Sequence, residues 1–188
     1  MILFLIVFCM LVALGFGLAA AISDFKSMTI PNIYAGGIAL TFVVAFLGDF
    51  FTGEGMEFFA SWKSHLLSGA AVFVATFVLF TFKIIGAGDS KLCSAFALWV
   101  GAPGIAAFLF YMSMLGAVLG LTTKLLNKKQ LVKEPAEGSW IARSQKGEMG
   151  VPYGVAIVFG AIIAFYQLDY FSPEKLALLA GYTENQQP

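Results

Sequence analysis

Charge is what this sequence has least of. Asp, Glu, Lys and Arg make up 12% of its 188 residues, against roughly 25% in a typical soluble domain. Eleven basic and eleven acidic residues cancel to zero formal net charge. So thin a solvating inventory excludes a water-soluble enzyme and a disordered tail. The balance of signs excludes a nucleic-acid binder that works through a basic surface. Cysteine is scarce as well. Cys9 and Cys93 are far apart and lie in apolar runs, so they offer neither a disulfide framework nor a metal knuckle and read as small core hydrophobes. The single histidine, His65, cannot build a metal site alone, and no metal or other cofactor is expected. What is abundant is apolar: 60% of residues are hydrophobic, and the mean hydropathy is +0.87. The expected fold class is all-α, a polytopic membrane protein with one integral-membrane domain over residues 1–188.

A crossing helix needs about 20 mainly apolar residues, because roughly 30 Å of hydrocarbon is crossed at about 1.5 Å per residue. Spans are expected at about 1–22, 33–50, 66–84 and 151–169. Between the third and last of these, 92–123 is a run of 32 uncharged residues interrupted by Pro103-Gly104. As one straight helix it would measure about 48 Å, too long for one crossing. Splitting it at Gly101-Ala102-Pro103-Gly104 gives spans at about 89–102 and 104–123, six in all. Charge bias favours the split. With the N-terminus outside, nine basic residues (Lys26, Lys83, Lys91, Lys124, Lys128, Lys129, Lys133, Arg143 and Lys146) face inward and two, Lys63 and Lys175, face outward. An unsplit run would leave four inside against seven outside, contrary to the positive-inside rule.

The first segment resembles a secretory signal at Leu18-Ala19-Ala20-Ala21, but its apolar run is too long and lacks a basic start, so it is expected to be retained. The longest polar stretch, 124–150, is basic and carries Pro135 and Gly138. It reads as a flexible cytosolic loop that meets anionic headgroups.

Two aspartates stand at span ends on the expected cytosolic side. Asp24 follows the first span in Asp24-Phe25-Lys26-Ser27-Met28-Thr29-Ile30-Pro31-Asn32, and Asp89 lies in Gly86-Ala87-Gly88-Asp89-Ser90-Lys91. They can approach one another if the first and fourth helices pack side by side. Gly86 and Gly88 permit a positive φ and close backbone approach. If the short fourth helix ends at the far interface near Trp99, Asp89 lies below the cytosolic surface, where a carboxylate is costly and a functional candidate. Taken singly, each aspartate also fits a capping role. Taken as a pair, they fit acid–base chemistry: close carboxyls share one proton, the ionised member takes a proton from water and the protonated member donates to a carbonyl. Asp89 at a helix N-terminus suits the base and Asp24 near a helix C-terminus the acid.

At these residues the sequence resembles the type IV prepilin peptidase family of GxGD membrane aspartyl peptidases. The signals are Asp24 with Ile30-Pro31-Asn32, then Gly86-Ala87-Gly88-Asp89-Ser90-Lys91, and the closing Val151-Pro152-Tyr153-Gly154. The six-span layout looks like the short CpaA/TadV-type members. The resemblance implies removal of a short basic leader from prepilins or pseudopilins of type IV or Flp pili at the cytosolic face of the plasma membrane. It makes Asp24 and Asp89 catalytic, with Gly86, Gly88, Lys91, Pro31 and Asn32 as supporting motif residues. Longer members carry a cytosolic cysteine-pair domain and N-methylate the new terminus; such cysteine pairs are absent here, which puts methylation in doubt. Ser90 departs from the apolar residue expected beside the aspartate.

Two other readings stay open: a small ion-coupled transporter using the same aspartates, and a non-enzymatic pilus or secretion assembly subunit. The expected partners are prepilin substrates and the lipid bilayer, not nucleic acid; the oligomeric state is not legible. Lys26 and Lys91 read as snorkelling residues, Gly116 and Gly120 as helix-packing positions, and His65 as an interface residue. Glu134, Glu137 and Glu148 are candidates to receive a basic leader. The outer loop 49–64 suggests no function, and the tail 172–188 is expected to form a short surface helix at 176–179.

Overall fold

The computed structural model describes residues 2–52 and 59–172. Among them there is no strand. The helices are α1 (Ile2–Ser27), α2 (Asn32–Thr52), α3 (Trp62–Thr81), α4 (Ala87–Lys128), the short α5 (Trp140–Gln145) and α6 (Tyr153–Gln167). Four of these, α1 to α4, are long and apolar enough to cross a membrane, and α6 is a shorter apolar helix. The chain is an all-α, multi-pass membrane protein. Residues 53–58 of the outer loop, Lys175 and the helix expected at 176–179 lie outside the described residues.

α4 is two rods rather than one. Its continuity breaks at Gly101, with φ 56 and ψ −171, a conformation that side-chain-bearing residues rarely adopt. Space demands glycine there too: an added Cβ would meet His65 Cε1 at 2.9 Å and Ser64 Oγ at 3.2 Å. Ser64 Oγ accepts the Ala102 N–H at 2.9 Å, which satisfies one donor exposed by the break. Pro103 falls in the first turn of the second arm, where its missing N–H costs little. Cys93 Sγ and Met112 Sδ lie 3.7 Å apart. In a straight helix, 19 residues would separate them by about 28 Å, so arms 87–100 and 102–128 fold back against each other.

The first arm packs at the centre of the bundle, against α2, α3 and α6. Leu92, Phe96, Trp99 and Val100 are fully buried there with Phe108, Ile157, Ala161 and Phe165. Outward faces carry Phe4, Leu40, Leu67, Val74 and Leu121 well exposed, as a lipid-facing surface requires.

Several expectations need correction. α1 runs to Ser27 instead of ending at 22, and α4 begins at Ala87 instead of 89. In a crossing helix the backbone ladder continues through polar residues once they leave the hydrocarbon, so hydropathy underestimates helix length. Stretch 124–150 is not a free loop: α4 continues to Lys128, and α5 is docked with Trp140 buried. Trp140 Nε1 donates to Thr123 Oγ1 at 3.0 Å, and its ring meets the Phe25 ring at 5.5 Å. His65 is buried rather than interfacial. Its Nδ1 donates to the Leu98 carbonyl at 2.7 Å, among Phe42, Phe46 and Phe59. Trp99 is likewise buried, with Nε1 donating to the Ile38 carbonyl at 3.0 Å.

Candidate functional site

Asp24 occupies the last turn of α1 and is buried. The helix closes with Met28 at φ 54, its N–H donating to the Asp24 carbonyl at 2.7 Å. The link to α2 is short and held down by side chains. Ser23 Oγ donates to the Thr29 carbonyl at 2.8 Å, and the Ser27 and Thr29 hydroxyls share a bond at 2.7 Å. Ile30 is thereby fixed beside Asp24, and Asn32 opens α2.

Asp89 stands in the first turn of α4, whose N-cap is Gly86. It is therefore not the cap itself. Its Oδ2 accepts the Gly86 N–H at 3.0 Å, the reach-back half of a capping box. Neither motif glycine uses a positive φ, contrary to expectation: Gly86 is extended at φ −78, and Gly88 lies within the helix. What Gly88 supplies is proximity. A Cβ there would meet Ile30 Cβ at 2.9 Å and the Ile30 carbonyl at 3.2 Å. One step along, Lys91 Nζ donates to Asn32 Oδ1 at 2.9 Å. Lys91 thus tethers α4 to α2 rather than pairing with a carboxylate. The two sequence motifs, one around Ile30-Pro31-Asn32 and one around Gly88-Asp89-Lys91, are locked into each other.

The third wall comes from α6. Gly154 N–H donates to Asp24 Oδ2 at 2.8 Å. A Cβ on Gly154 would sit 3.0 Å from that oxygen and 3.1 Å from Ile30 Cδ1. The aspartates are therefore gathered by Ile30 and the start of α6 rather than by broad packing of α1 on α4. α1 lies mainly on α2 and α6 and meets α4 where Phe96 abuts Gly17.

The carboxyls of Asp24 and Asp89 are close enough to interact electrostatically. Each has Oδ2 held by one backbone N–H from the start of a helix. Asp89 Oδ1 is buried without a hydrogen-bond partner among the described residues. A buried carboxylate oxygen left open in this way is costly unless water or substrate meets it. The expected contrast between a helix C-terminus at Asp24 and an N-terminus at Asp89 does not survive, because Asp24 also receives an N–H from the first turn of α6.

Ser90, the departure noted in the sequence, is buried and paired: its Oγ shares a 2.8 Å bond with Thr76 Oγ1 on α3. Glu148 is ion-paired with Arg143 at 3.7 Å. Glu137 lines a separate polar cleft of about 510 Å³ with Lys133, Gln145 and Lys146, away from both aspartates. Gly116 fits its packing role, with Tyr153 Cε1 3.1 Å from a Cβ placed there. Among the described residues, no three His, Cys, Asp or Glu side chains converge as a metal site would require. Gly154 was legible only as part of a motif, not as the donor to Asp24. Trp140 was not singled out, although a tryptophan inside a polar basic stretch is itself a sign of docking.

The sequence profile of the type IV leader peptidase family matches residues 1–121, which include both aspartates. A prepilin leader peptidase/N-methyltransferase of Pectobacterium carotovorum subsp. carotovorum is 26% identical over 139 residues, covering 70% of this chain and 47% of the relative. The chain spans about half the length of that curated relative. No solved structure matches it.

Proposed function

We propose that this chain, which belongs to the type IV leader peptidase family, is a membrane-embedded aspartyl endopeptidase that removes the leader from prepilins, with Asp24 and Asp89 as its catalytic carboxyls. The observation that carries the reading is the pairing of two carboxyls at one end of the bundle, each with one oxygen fixed by a backbone N–H, and with Asp89 Oδ1 buried and without a partner among the described residues.

In this mechanism a water molecule lies between the two carboxyls. The carboxylate removes a proton from it as the oxygen attacks the scissile carbonyl, and the carboxylic acid protonates the carbonyl oxygen. Collapse of the resulting diol breaks the C–N bond: the first carboxyl gives its proton to the leaving amine, and the second, now a carboxylate, takes one back from a diol hydroxyl, which restores the starting pair. Each carboxyl faces a helix start, so either can take either role, and the pair titrates as a unit. The Gly86 and Gly154 N–H groups hold the Oδ2 atoms and so fix the orientation of both carboxyls, a preorganisation that lowers the cost of reaching the transition state.

The site faces the cytosol in this reading, and the protein resides in the plasma membrane. Six crossings with the N-terminus outside are supported by the nine-to-two distribution of basic residues and by the folded-back arms of α4. The relative's name also carries N-methyl transfer; the peptidase step alone is assigned here, because carboxyls are the chemistry that the motifs gather. Purified protein incubated with a prepilin of its own host tests the activity. Two products whose masses add to prepilin plus one water support it, and an intact prepilin beside correctly folded protein refutes it.

A further inference from the structure

α2 and α3 meet at the end of the bundle remote from the aspartates, where Phe42 and Phe46 pack on His65. Both helices also pack on α4, whose first arm floors the space between them. The result is an open groove of about 590 Å³, lined among others by Gly36 and Ala39 of α2, Gly69 and Ala70 of α3, and Lys91 and Leu98 of α4.

Small side chains line this groove, and they have two different explanations. Gly69 is required by the fold itself, since a Cβ there would meet Leu98 Cδ2 at 2.5 Å. Gly36 is not: a Cβ there would meet nothing within 4 Å. An exposed glycine inside a helix weakens that helix, and no neighbour among the described residues accounts for it. Small residues let a second helix approach closely in a bilayer; a lipid tail gains nothing from them.

Charge narrows the occupant further. Among the described residues, Lys91 is the groove's single charged lining residue. It stands at the mouth, with a neutral amide oxygen as its hydrogen-bond partner. A complementary occupant is uncharged along the groove and brings an acidic group to the mouth. The mouth also adjoins the candidate site, because Lys91 and Asp89 share one turn of α4. The turn that leads into Asp89, Gly86-Ala87-Gly88, carries no side chain larger than a methyl group.

We propose that the groove between α2, α3 and the first arm of α4 is the docking surface for the apolar helix of the substrate, which lays the extended segment at its end across the Gly86–Gly88 turn onto the two aspartates. This rests on the peptidase reading above. It assigns Gly36, Ala39 and Ala70 as positions that bind substrate without taking part in the chemistry.

The test fills the groove with Gly36→Leu and Ala70→Leu and follows cleavage of a purified prepilin, with Asp24→Asn as the reference for lost chemistry. The inference predicts a fall of about tenfold or more in kcat/KM carried by KM, with kcat nearly unchanged, the pattern for lost uniform binding. Thermal unfolding in detergent identifies any variant that misfolds. As an arm independent of bulk, Ala70→Cys should cross-link to a cysteine placed in the prepilin's apolar helix and not to one in its leader. Processing within twofold of wild type and no helix cross-link, while Asp24→Asn is inactive, would overturn the groove and leave the peptidase reading standing. Loss of co-purified phospholipid from the leucine variants with unchanged processing would make this a lipid site and also overturn it. Full activity of Asp24→Asn would instead sink the peptidase reading itself.

Discussion

Gly154 donates its backbone N–H to Asp24 Oδ2 at 2.8 Å, across 130 positions of sequence. This contact joins the last turn of α1 to the first turn of α6 and sets which way the carboxyl faces. The same glycine leaves just enough room for Ile30, which in turn lies against Gly88 at the start of α4. Asp24 and Asp89 are thus oriented by one small set of contacts between helix ends.

Gly154→Ala tests this directly. The added Cβ lies 3.0 Å from Asp24 Oδ2 and 3.1 Å from Asp24 Cβ, so the carboxyl must turn or α6 must shift. A displacement of under an ångström at a reacting group lowers turnover by about ten- to a hundredfold. Prepilin processing should fall by that amount with the protein still present in the membrane, and Gly154→Val should be worse.

Gly101→Ala should destabilise the bundle more than a surface substitution does. A φ of 56 is strained for alanine, and His65 Cε1 would lie 2.9 Å from the new methyl group. The cost is about 1–3 kcal/mol, read as a lower midpoint of thermal unfolding in detergent. An unchanged midpoint would mean that the arms of α4 do not fold back as described.

Ser90 and Thr76 form a buried hydroxyl pair between α4 and α3. Removing either hydroxyl alone, as Ser90→Ala or Thr76→Val, should cost about 0.5–1.5 kcal/mol. The double variant should cost less than the sum, because neither hydroxyl is left facing an apolar partner. Strict additivity of the two unfolding shifts would contradict the pairing.

The pH dependence follows from the division of labour between the carboxyls. In the proposed mechanism one carboxyl is ionised and one protonated, so kcat/KM should rise as the pair loses its first proton and fall as it loses the second. The expected profile is a bell measured on a prepilin whose own ionisations are fixed. A plateau extending to alkaline pH would contradict an acid role for either aspartate.

Much of this arrangement was legible in the sequence, and the misses share a cause. Hydropathy located the apolar segments, Pro103 and Gly101 marked the break in α4, and the two motifs named the residues that meet at one end of the bundle. Hydropathy reports removal from water and does not separate burial in lipid from burial in protein. His65 therefore reads as an interface residue although it is buried in protein. Tertiary partners are invisible to local pattern as well. Nothing in Pro152-Tyr153-Gly154 says that its third residue caps Asp24, and nothing around Trp140 says that it docks on Thr123 and Phe25. Of the two uses that glycine permits at Gly86 and Gly88, a positive φ and a close backbone approach, the fold takes the close approach, at Gly88.

The central claim is that Asp24 and Asp89 act together on the scissile bond. Its most direct measurement is the mobility of a co-expressed prepilin from the same host, compared among wild type, Asp24→Asn and Asp89→Asn at matched membrane levels. The account predicts that wild type converts the precursor to the shorter form and that each single substitution abolishes the conversion. Processing at the wild-type rate by either variant would reduce that aspartate to a structural cap and contradict the account.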